Sequence, residues 1–69
     1  MKTWEEIRAM WVNGERKEVY DFMIKLPEYQ KINLIIQALD TAKRLNYQSG
    51  DLVDLREVLD CWAFPNLYI

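Results

Sequence analysis

The chain has no histidine, one cysteine, one serine, two glycines and two prolines, and each shortage excludes something. Without histidine there is no imidazole to act as base or metal ligand near neutral pH. Cys61 alone cannot form an internal disulfide, and a single thiol fits a reducing, cytoplasmic setting. Two isolated glycines cannot build a loop that cradles phosphate. Ser49 precedes a glycine at a helix start, where capping accounts for it. Neither sign of charge dominates: nine basic against eleven acidic side chains give −2. A net negative charge gives no general attraction to nucleic acid, and this one is too small to mimic its phosphate row. Nothing approaches the ~20 apolar residues of a membrane span, and Glu5, Glu6 and Arg8 interrupt any signal-type apolar stretch.

What the chain does have is apolar and aromatic surface. Hydrophobic residues make up 51% of it and aromatics 13%, with three Trp, four Tyr and two Phe, which argues for a folded chain rather than a disordered one. One small domain, residues 1–69, is expected. A domain of this size hides only about 60% of the surface its unfolded chain exposes. Its stability must therefore lean on aromatic burial or on association with another chain.

The sparse punctuation predicts an all-α fold of four short helices over residues 4–12, 15–25, 27–46 and 51–63, with an apolar, non-helical C-terminal tail. Thr3 and Glu6 have the spacing of a capping box, and behind them Trp4, Ile7, Met10 and Trp11 share a face. Asn13-Gly14 supplies a left-handed stop. Val19, Phe22, Met23 and Leu26 repeat the helical spacing up to Pro27, which breaks one helix and can begin the next. In the third helix Ile32, Ile35, Ile36, Leu39 and Ala42 line one face and Leu34, Ala38 and Leu45 the adjoining one. An apolar arc of roughly 200° predicts a helix surrounded by neighbours. "NYQSG" reads as a turn, with Ser49 or Asp51 capping a last helix whose face is Leu52, Leu55, Leu59 and Trp62, with Val58 alongside.

Few residues could carry chemistry. Cys61 lies near a helix C-terminus beside Asp60, the wrong setting for a reactive thiolate, and reads as a small core residue. Asp54 and Glu57 are close enough to share a cation, but metal sites on helices draw ligands from several helices. A solvated acidic face is expected there and at Glu5-Glu6. No catalytic residue, metal or cofactor is expected. A helix-turn-helix reading would place Gln30, Lys31 and Asn33 against DNA bases. Glu28 beside them opposes phosphate, and the joint at Pro27 lacks the motif's glycine.

The remaining signal is aromatic. After Asp60 the sequence "CWAFPNLYI" carries no charge, although chain ends are usually polar. Trp and Tyr are frequent interface anchors, so Trp4, Trp11, Trp62, Phe64, Leu67, Tyr68 and Ile69 are expected to meet a protein partner. Membrane anchoring is disfavoured, because interfacial anchors carry basic residues and this end carries acids. The expectation is a small cytoplasmic regulatory or inhibitory protein, of the kind mobile elements encode. It would act by protein–protein interaction and form a homodimer; the alternative is a small DNA-binding transcriptional regulator.

Overall fold

The computed structural model describes residues 2–69 and is an all-α bundle. The helices are α1 (Trp4–Val12), α2 (Arg16–Ile24), α3 (Glu28–Arg44) and α4 (Asp51–Ala63), followed by a single 3-10 turn over Pro65–Leu67. The expected bounds for α1 and α4 match these; α2 and α3 are shorter by a residue or two at each end.

The local signals act largely as their chemistry requires. Thr3 Oγ1 accepts from the Glu6 N–H at 3.4 Å, capping α1. The Glu6 carboxylate takes the Thr3 hydroxyl rather than the backbone N–H of a full capping box. Gly14, at φ +85°, turns the chain out of α1 and its N–H donates to the Trp11 carbonyl. Pro27 caps α3 in extended geometry, as a residue without an N–H can. α4 departs from expectation: neither Ser49 nor Asp51 caps it. Gly50, in the left-handed region at φ +81°, is its first boundary residue.

The core draws on every helix. Trp4, Ile7 and Trp11 come from α1, Val19 and Met23 from α2, Leu34 and Ala38 from α3, and Leu55, Val58 and Cys61 from α4. Trp4 and Trp11, expected at an interface, are each only 1% exposed and offer nothing to a partner. A domain with so little interior uses two of its three tryptophans to fill it.

α3 is the larger correction. It is not surrounded: Leu34, Ala38 and Ala42 are buried and Ile35 is half-buried, while Ile32, Ile36, Leu39 and Leu45 face outward. The helices that pack most closely on α3 are α1 and α4, which cover one side of it, while α2 reaches it through Phe22 and Met23, which share crevices with Leu34. The central element is α4, which meets α1, α2, α3 and the 3-10 turn. Its buried face keeps Leu55 and Val58 of the expected one and extends to Asp51 and Cys61, while Leu52 is exposed and Leu59 and Trp62 are half-buried.

Candidate functional site

Three places have the residues to do something: the start of α4, the C-terminal tail and the outer face of α3. At the first, Arg8 of α1 donates from Nε to Asp54 Oδ2 and from Nη2 to the Ser49 carbonyl, both at 2.5 Å. Its Nη1 abuts Asp51 Oδ1. The Asp54 hydrogen bond, followed by the field of Asp51, raises the guanidinium further above its already high pKa. Asp51 is 1% exposed. Its Oδ1 is ion-paired with Arg8, and Oδ2 accepts no hydrogen bond among the described residues. Above them opens a cleft of about 530 Å³ whose walls include Trp4, Val12, Thr41 and Leu45.

Asp51, Asp54 and Glu57 of α4 are therefore structural rather than a solvated face. Asp54 is taken by Arg8, and Glu57 Oε1 accepts the Trp11 indole N–H at 2.8 Å. Both bonds tie α1 to α4 across 46 residues of sequence. Spacing within α4 could not have shown this, because the partners lie in another helix. Arg16 adds to the same edge, its guanidinium 3.8 Å from the centre of the Trp11 ring.

Cys61 is fully buried, and loss of hydration raises its thiol pKa while Arg16 lowers it slightly. A buried neutral thiol is a poor nucleophile. Among the described residues no group of three or more ligating side chains could hold a metal ion, and no helix is long and apolar enough to cross a membrane.

The tail divides its labour. Tyr68 packs on Trp11 with ring centroids 5.5 Å apart and is half-buried, so this part of the expected interface belongs to the core's edge. Trp62 is half-buried beneath Lys31, whose Nζ lies 4.2 Å from the ring centre. Phe64, Leu67 and Ile69 are each more than half exposed. Of the residues assigned to DNA in the alternative, Lys31 is committed to Trp62, Gln30 is part-buried and only Asn33 stands free.

The outer face of α3 is the feature that the sequence pattern misassigned. Ile32, Ile36 and Leu39 are 51%, 56% and 47% exposed and follow one another at i, i+4 and i+7. Beside them Ile35 shares a crevice with Leu59 of α4, so the apolar surface reaches the α3–α4 seam.

No protein-family model, no curated protein and no solved structure matches the chain.

Proposed function

We propose that the protein acts by binding protein chains, its own copies among them, and not by catalysis. It would serve as a small cytoplasmic regulator or inhibitor. The observation that carries this reading is the exposed Ile32–Ile36–Leu39 face on a helix whose opposite side is well packed. Contiguous apolar surface on a small domain marks a contact site, and leaving it wet forgoes roughly 25 cal/mol for each Å². The exposed Phe64, Leu67 and Ile69 of the tail offer a second apolar surface. The DNA-binding alternative is weakened by the short joint at Pro27, which lacks the glycine usual in the helix-turn-helix motif, and by the engagement of Lys31 with Trp62.

The test is solution mass by light scattering across a concentration range, for the intact chain beside one ending at Ala63. A mass rising from 8.3 kDa towards twice that value is expected for both if α3 is the contact, and for the intact chain only if the tail is. A constant 8.3 kDa up to about 1 mM, where even an association worth −4 kcal/mol is visible, overturns self-association.

A further inference from the structure

Resting on the self-association reading, we propose that the partner of α3 is the α3 of a second copy, laid antiparallel about a twofold axis between Ile35 and Ile36. The face itself argues for this occupant. At 3.6 residues per turn, Glu28, Ile32, Ile36, Leu39 and Lys43 fall within an arc of about 80°. All five are exposed, and neither Glu28 nor Lys43 takes part in an ion pair among the described residues.

The order along this stripe is self-complementary. In an antiparallel pair centred between Ile35 and Ile36, Ile32 meets Leu39 of the other copy, Ile35 meets Ile36, and Glu28 meets Lys43 at both ends. A twofold contact needs this property, since each residue must suit its mirror position. A parallel pair would set Glu28 against Glu28 and Lys43 against Lys43. Sliding the antiparallel pair by one turn puts Lys43 against Ile32, or Glu28 against Leu39, and buries a charge on an apolar side chain. The helix dipole favours an acid at the start of α3 and a base at its end. It does not require both to share the face that carries the isoleucines.

Charge reversal tests the pairing, with sedimentation equilibrium as the readout. Both positions are exposed, so circular dichroism should show the fold retained in each variant. Glu28→Lys and Lys43→Glu should each weaken dimerisation about tenfold, because each creates two like-charge contacts per dimer. The double variant Glu28→Lys/Lys43→Glu should restore it to within about twofold. Mixing the two single variants should give a heterodimer stronger than either homodimer, since both end contacts become attractive. An intact chain that dimerises while the single variants dimerise equally well, or a mixture with no preference for the heterodimer, overturns the antiparallel α3 pairing and leaves self-association standing. A parent chain that stays monomeric overturns both.

Discussion

Arg8 holds Asp51 at the point where α4 begins, with the guanidinium part-exposed and the carboxylate sealed from solvent. The same arginine also binds Asp54 and the Ser49 carbonyl. One side chain of α1 thereby fixes the start of the central helix. A methyl group on Gly50 would come within 3.3 Å of its Nη2, so the glycine serves this close approach as well as its left-handed φ.

Arg8→Met should destabilise the fold by about 2–3 kcal/mol. That is the low side of the cost of stranding a buried charge, because Arg8 itself is partly solvated. Arg8→Met combined with Asp51→Leu should recover much of the loss, as replacing both members of a buried pair often does. Urea unfolding measures both. A loss from the single variant no larger than that of an ordinary surface change would show that Asp51 finds other partners.

Tyr47 sits in the left-handed region at φ 60°, directly after Asn46 at φ 55°. Asparagine tolerates this geometry, whereas a bulky aromatic does so at a cost of roughly 1 kcal/mol. The Tyr47 ring is exposed and has little packing to lose. Tyr47→Gly should therefore raise the urea midpoint by an amount equivalent to about 0.5–1 kcal/mol without altering the slope. Tyr47→Val should lower it.

Burial raises the Cys61 thiol pKa above its unfolded value, which is about 8.5. The native state then holds its proton more tightly than the unfolded state does. Stability from this source is fully present below the unfolded pKa and declines as pH rises through the folded value. Unfolding free energy should fall above about pH 8.5, and Cys61→Ala should flatten that alkaline limb while costing stability at neutral pH through the space it leaves. Thiol labelling at neutral pH should be slow and accelerate in urea in step with unfolding. Rapid stoichiometric labelling of the native chain would contradict the buried thiol.

In the tail, Tyr68→Ala should cost about 1–2 kcal/mol, from lost area and lost ring contact with Trp11. Leu67→Ala, at a side chain 76% exposed, should stay within about 0.5 kcal/mol when measured on the monomer. Equal effects at the two positions would mean that the tail is not anchored through Tyr68.

The sequence alone determined the helices, because their signals act over three or four residues. Thr3 caps α1, Gly14 ends the first turn, Pro27 separates α2 from α3, and apolar spacing marks the stretches between. It also placed Val19 and Met23 inside, and Cys61 as a small core residue. Tertiary structure decided which apolar face each helix buries. An arc as wide as that of α3 has two candidate faces, and only the positions of α1 and α4 make Leu34 and Ala38 core while Ile32 and Ile36 stay outside. The same holds for charge. Asp54 and Glu57 read as a wet acidic surface, and Asp51 as a helix cap, until α1 brings Arg8 and the Trp11 indole against them. Periodicity records that a helix has an apolar side; which part of that side meets a neighbour depends on residues some forty positions away.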